Sequence, residues 1–230
     1  MKNENVKVIL FLGYHVDCDD AKEAILKIKE KTNHIPNENK ILLIEHSGWA
    51  FGTGMIPVFT NQFDDKTLEK KFLQIEDFYS ICIKKIKENQ TLIGEEIDWG
   101  IILFEYGYKN GYIVEFEKPN LEITKIIFSE AYDIFNEKLQ HEIQLKRDEF
   151  FVSNQVIPLI KKYPDKTVLI VRGEEHADLL SEILKKHKIH FEVIFYTSQK
   201  RKDYFIMKDK ERIVEANKLL NDFKKKIGMP

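Results

Sequence analysis

The stretch Val6-Lys7-Val8-Ile9-Leu10-Phe11-Leu12-Gly13 decides the fold. A strand with one wet face alternates apolar and polar residues. This run does not alternate, so it reads as a strand buried on both faces, ended by a glycine. A helix is predicted behind it, from Cys18 to Lys31, with Ala21, Ala24, Ile25 and Ile28 at helical spacing. Asp19 and Asp20 stand near its start, where acidic groups suit the helix dipole. A second apolar run, Ile41-Leu42-Leu43-Ile44, stops at Glu45.

The pattern continues outward from these two strands. Loop chemistry follows Glu45: His46-Ser47-Gly48-Trp49-Ala50-Phe51-Gly52-Thr53-Gly54 is rich in glycine. A helix is expected from Asp65 to about Asn89, with Leu68, Phe72, Ile75, Phe78 and Ile81 on one face. The stretch Trp99–Tyr108 suits a strand by propensity but also carries helical spacing at Trp99, Ile102, Leu103 and Tyr106; helix is preferred. Tyr112–Glu117 reads as the third strand, Thr167–Val171 as the fourth and His190–Phe195 as the fifth. Helices are expected over Leu121–Lys162 with one break, over Glu175–His187, and over Arg212–Lys226. Apolar strands alternating with helices predict an α/β fold with a mostly parallel central sheet of about five strands and helices on both faces. A single domain over 1–230 is expected, with a helical elaboration at 118–150.

Composition limits the function classes. Hydrophobic residues make up 43% of the 230, enough for a substantial core. Net charge is -2, which argues against general nucleic-acid binding, although local basic runs such as Lys224-Lys225-Lys226 are present. Cys18 and Cys82 make no disulfide framework, which suits a reducing compartment. Met1–Lys7 reads as no secretory signal, and no apolar run reaches the roughly 18 residues of a membrane span. A cytoplasmic protein is expected. No oligomeric state is implied by the sequence.

Ligands of an open parallel sheet bind beyond the carboxyl ends of the strands, so the residues there are the candidates. Strand one is followed by Gly13-Tyr14-His15, strand two by Glu45-His46 and strand four by Arg172-Gly173-Glu174-Glu175-His176, while strand three carries Glu115 and Glu117. One shared edge brings these groups together. Imidazoles with carboxylates bind divalent metals, or activate water with histidine as base and a carboxylate fixing its tautomer. Arg147 or Arg172 would stabilise an oxyanion or hold an anionic substrate. Gly13 and Gly173 permit tight turns and close approach of a ligand. No HExxH, CxxC pair, P-loop or GxGxxG fingerprint is present.

The order of these motifs resembles the TraB/Tiki and erythromycin-esterase/ChaN-like superfamily. Leu12-Gly13-Tyr14-His15, a helix, and Leu42-Leu43-Ile44-Glu45 look like its opening, although the first motif here is Gly-x-His rather than Gly-x-x-His. The stretch Val168–Leu180, containing Gly173-Glu174-Glu175-His176, looks like its second Gly-x-x-His motif, and Arg147 like the arginine that precedes it. The resemblance covers roughly 6–195. It implies a pocket lined by His15, Glu45, Arg147 and His176, with a divalent metal on His15, Glu45 and His176 if one is used. Activities within that superfamily include metal-dependent proteolysis, lactone hydrolysis and haem binding.

The leading expectation is therefore a hydrolase of ester or peptide bonds in a small-molecule or peptide substrate, with or without the assistance of a divalent metal. His46, Trp49, Glu115, Arg172, Gly13 and Gly173 would complete the binding surface, with the 46–56 loop as a lid. The alternatives are a non-catalytic haem- or ligand-binding protein, with His15 or His46 as axial ligand, and a regulatory scaffold using the polar segment 118–150 as its partner surface.

Overall fold

The continuous apolar runs are buried on both sides, as their lack of alternation requires. A computed structural model describes residues 6–14, 17–45, 65–93, 98–118, 137–204 and 206–207. Five strands form one sheet among them: β1 (Val8–Gly13), β2 (Lys40–Ile44), β3 (Ile113–Phe116), β4 (Thr167–Gly173) and β5 (Phe191–Phe195), in the order β3-β2-β4-β1-β5. Every pairing is parallel. The expected α/β fold is the observed one. Met1–Tyr196 forms one compact unit and Thr197–Pro230 a second. In the second, 199–204 is helical and Gln199 Nε2 donates to Asp203 at 2.9 Å. The helix expected over Arg212–Lys226 lies outside the described residues.

Alternate strand residues supply two cores. Ile9, Phe11, Leu42, Ile44, Leu169 and Val171 face α1 (Cys18–Lys31), α2 (Asp65–Lys87) and α3 (Trp99–Lys109). Leu10, Leu12, Ile41, Leu43, Val168 and Ile170 face α4 (Glu137–Phe151), α5 (Ile157–Lys162) and α6 (Ala177–Lys186). Each such fully buried aliphatic side chain contributes about 1.5–3 kcal/mol by leaving water. Helix α1 starts at a capping box, with Asp17 accepting from the Asp19 and Asp20 amides and Asp20 from the Asp17 amide.

The ambiguous stretch Trp99–Lys109 is a helix. Asp98 caps it by accepting from the Gly100 amide at 2.8 Å. Its close seat on the sheet depends on Gly107, where a Cβ would meet Val114 Cγ2 at 2.7 Å and Leu42 Cδ2 at 3.0 Å. The reading of α2 needs correction. Ile81 is 54% exposed, and the buried face runs through Tyr79, Cys82 and Ile86 with Phe78 against it. These positions satisfy the 3.6-residue period from one origin; Ile81 does not. Leu68, Phe72 and Ile75 fall outside the described side chains.

The long helical segment expected over Leu121–Lys162 is described only from 137 onward. It contains a π-helical turn, Val152–Val156, between α4 and α5. No described helix is long and apolar enough to cross a membrane.

Candidate functional site

Three strand ends and one helix converge on a buried cluster of charge. Glu45 is the first residue past β2, and its amide donates to Val171 of β4 at 3.0 Å. Glu117 is the first past β3, its amide donating to Ile44 at 2.7 Å. The β2–β3 register pairs Ile44 with Phe116, so the two glutamates stand side by side beyond the last paired row. Strand β4 contributes Arg172 and Gly173. A 3-10 turn, Glu174–His176, then brings His176 back over the strand end. Arg147 and Asp148 arrive from α4 on the same side of the sheet.

The π-helical turn and Gln155 secure one of these ends. Gln155 is buried, its Oε1 accepting from the Lys118 amide at 3.0 Å and its Nε2 donating to Phe116 O at 3.4 Å. This fixes the chain on either side of Glu117. π-turns recur at functional sites because they redirect a side chain without ending the helix. Gln144 ties α4 to the 3-10 turn, donating to Glu175 O at 2.8 Å.

The charges pair as follows. Arg147 Nη2 donates to Glu45 Oε1 and, at 3.1 Å, to Glu117 Oε2. Arg147 Nε donates to Glu117 Oε1 at 3.4 Å. Arg172 Nη2 donates to the same Oε1 at 3.3 Å, and Arg172 Nη1 to Asp148 Oδ1 at 2.9 Å. His176 Nδ1 lies 2.9 Å from Asp148 Oδ2. The carboxylate only accepts, so Nδ1 carries a proton. His176 Nε2 is 3.6 Å from Glu45 Oε1, 3.7 Å from Glu175 Oε1 and 3.5 Å from Arg147 Nη1. The second oxygen of Glu45 accepts from the Gly173 amide at 2.9 Å.

Burial sorts these groups. Side chains of Arg172, Asp148, His176, Glu117 and Glu45 are at most 4% exposed, whereas Arg147 is 13% and Glu175 58% exposed. Arg147 and Glu175 are thus the solvent-facing members. Three carboxylates (Glu45, Glu117, Asp148) meet Arg147, Arg172 and His176, so the buried charge balances when His176 is protonated. Burial and Arg172 press the imidazole toward neutrality, but Asp148 and Glu45 outweigh them and hold its pKa above the ordinary value. Burial also opposes the Arg147 charge, and Glu117 and Glu45 outweigh it. Arg172 stacks on Phe151, 4.4 Å from the ring centroid, with its Nε finding no hydrogen-bond partner among the described residues.

The chain matches no protein-family model, no curated protein and no solved structure. The likeness to the TraB/Tiki and erythromycin-esterase/ChaN-like superfamily accordingly rests on its sequence motifs.

Of the residues singled out from sequence, Glu45, Arg147, Arg172, Gly173 and His176 come together. Gly13 sits in register with Gly173 at the ends of β1 and β4. His15, His46 and Trp49 lie outside the described residues, as does the 46–56 loop. Glu115 is not among the hydrogen-bonded members of the cluster. It pairs in register with Leu43, one residue short of the strand end at Phe116, and Glu117 occupies the cluster instead. Arg172 is fully buried and ion-paired to Glu117 and Asp148. Asp148, Gln144 and Gln155 were not singled out. The signal for Asp148 was its place beside Arg147 in one helical turn.

The described residues do not fit a divalent metal. Among them no group of three or more His, Cys, Asp and Glu is set to hold one. Glu45, which would have to be a ligand, gives one oxygen to Arg147 and the other to Gly173. His15, the third ligand of the expected set, lies outside the described residues.

Proposed function

We propose that the protein is a hydrolase of ester or peptide bonds whose oxyanion is held by Arg147 and His176. One observation carries this reading: Arg147 Nη1 and His176 Nε2 converge at 3.5 Å beyond the strand ends. With His176 protonated, both are charged N–H donors lying side by side, with Glu45 Oε1 and Glu175 Oε1 also 3.6 and 3.7 Å from Nε2. An oxygen gaining negative charge there accepts from both, and preorganised donors of this kind account for factors of about 10² to 10³ each. Asp148 keeps Nδ1 protonated and the ring oriented, so Nε2 presents the transferable proton.

The steps balance as follows. Water adds through its oxygen to the carbonyl carbon and loses a proton to a base. Negative charge on the carbonyl oxygen is neutralised by Arg147 and His176. The bond from carbon to the leaving oxygen or nitrogen then breaks, and the leaving atom takes the proton of His176 Nε2. We assign the base to His15 on its sequence position directly after Gly13-Tyr14.

A second reading has its own observation. Five of the six central charges are at most 4% exposed and every one has an opposite partner. A closed network of this kind also suits a binding or scaffold protein that keeps the fold without catalysis. Haem binding draws no support from His176, whose ring nitrogens face carboxylates.

Initial rates on activated esters and short peptides separate the two. In a hydrolase, Arg147→Lys and His15→Ala each lower kcat/KM at least about tenfold while the substrate range is kept. Wild-type rates equal to buffer across both substrate classes select the non-catalytic reading.

A further inference from the structure

The Arg147 guanidinium touches three side chains of metal-ligand type. Its Nη2 bridges Glu45 Oε1 and Glu117 Oε2, its Nε reaches Glu117 Oε1 at 3.4 Å, and its Nη1 lies 3.5 Å from His176 Nε2. The Glu45 and Glu117 side chains are 4% and 2% exposed, so neither carboxylate has bulk water as an alternative partner. A metal ion draws its donors to a point about 2 Å away. A guanidinium instead spreads its N–H groups across a plane, and Glu117 meets it as a two-point fork.

We infer that Arg147 is the resident cation of this site: its guanidinium fills the place between Glu45, Glu117 and His176, and that place accepts a planar guanidinium rather than a divalent metal ion. The remaining charges agree. Among the described members of the cluster, Arg172 and His176 offset two of the carboxylates Glu45, Glu117 and Asp148, and Arg147 offsets the third from its own chain. Removing the Arg147 side chain then leaves a cavity shaped for a small guanidinium, lined by the carboxylates of Glu45 and Glu117. The inference concerns the cation alone and stands apart from the hydrolytic reading, because it is read by stability and binding, not by turnover.

The test is chemical rescue of the full chain bearing Arg147→Ala. Thermal unfolding should show a fall in Tm of roughly 6–20 °C, the scale expected when one partner of a buried ion pair is lost from a chain of this size. Methylguanidinium, below concentrations that perturb the wild type, should restore at least half of that fall. Sodium chloride at equal ionic strength, zinc and manganese should not, and a chelator should leave the wild-type Tm unmoved. Rescue by zinc or manganese, no rescue by any cation, or loss of wild-type stability in chelator each overturns the inference. Should Arg147→Ala fail to fold, Arg147→Lys keeps the charge without the fork. It should melt below the wild type, and a wild-type Tm in that variant overturns the inference equally.

Discussion

Asp148 accepts a hydrogen bond from Arg172 Nη1 at 2.9 Å, and both side chains are entirely withdrawn from solvent. The bond joins α4 to the end of β4. The other oxygen of Asp148 meets His176 Nδ1, so one carboxylate sets both the buried arginine and the imidazole. Removing it takes from Arg172 and His176 the carboxylate each meets at 2.9 Å and leaves them only the longer contacts to Glu117 at 3.3 Å and Glu45 at 3.6 Å.

Asp148→Ala should therefore cost about 3–5 kcal/mol of stability. Urea denaturation of the variant beside the wild type measures this. A loss under about 1 kcal/mol would place Asp148 outside the network that holds the strand ends.

The proton on His176 predicts a direction with pH. Glu45, Asp148 and Glu175 face it with negative charge, Arg147 and Arg172 with positive charge. Its folded pKa lies above the ordinary 6.5. Its contribution to stability is thus fully present below that unfolded value and is lost as pH rises through the folded one. Unfolding free energy followed across that window should decline for the wild type and flatten for His176→Asn. Histidine titration by NMR checks the same group directly, and an ordinary or lowered value contradicts the pairing.

Two glycines should respond differently to alanine. At Gly107 the new methyl meets packed Val114 and Leu42, so Gly107→Ala should cost about 1–3 kcal/mol. At Gly173 the methyl collides with the carboxylate of Glu175, the far end of an exposed side chain that can swing away. Gly173→Ala should cost under about 1 kcal/mol while moving Glu175 off His176. Thermal melts of the two variants give the comparison, and equal losses would refute this reading of the two sites.

Gln155→Leu should leave the Lys118 amide and Phe116 carbonyl without their side-chain partner. Breaking these bonds is expected to cost about 1–3 kcal/mol and to speed hydrogen exchange at Lys118. Unchanged exchange would mean that the π-helical turn does not secure the end of β3.

Much of the fold was legible because buried parallel strands leave an unbroken apolar signature, as at Val8–Leu12 and Ile41–Ile44. The helix at Trp99–Lys109 was harder. Its residues suit a strand by propensity and a helix by spacing, and the Asp98 cap, which accepts from the Gly100 amide, emerges only in the structure. The site was legible as strand ends but not as a network. Glu115 and Glu117 share a face, and only the register with β2 shows that Glu117 is level with Glu45. The pairing of Asp148 with Arg172 and His176 is set by how α4 lies on the sheet, which local pattern does not encode.

The most direct measurement is kcat/KM of the wild type and His176→Asn on one activated ester and one peptide series, with Tm followed alongside. We expect measurable hydrolysis by the wild type and a loss of about 10²-fold or more in a still-folded variant. Wild-type rates equal to buffer, or a folded His176→Asn variant as active as the wild type, would contradict the assignment of this cluster to hydrolysis.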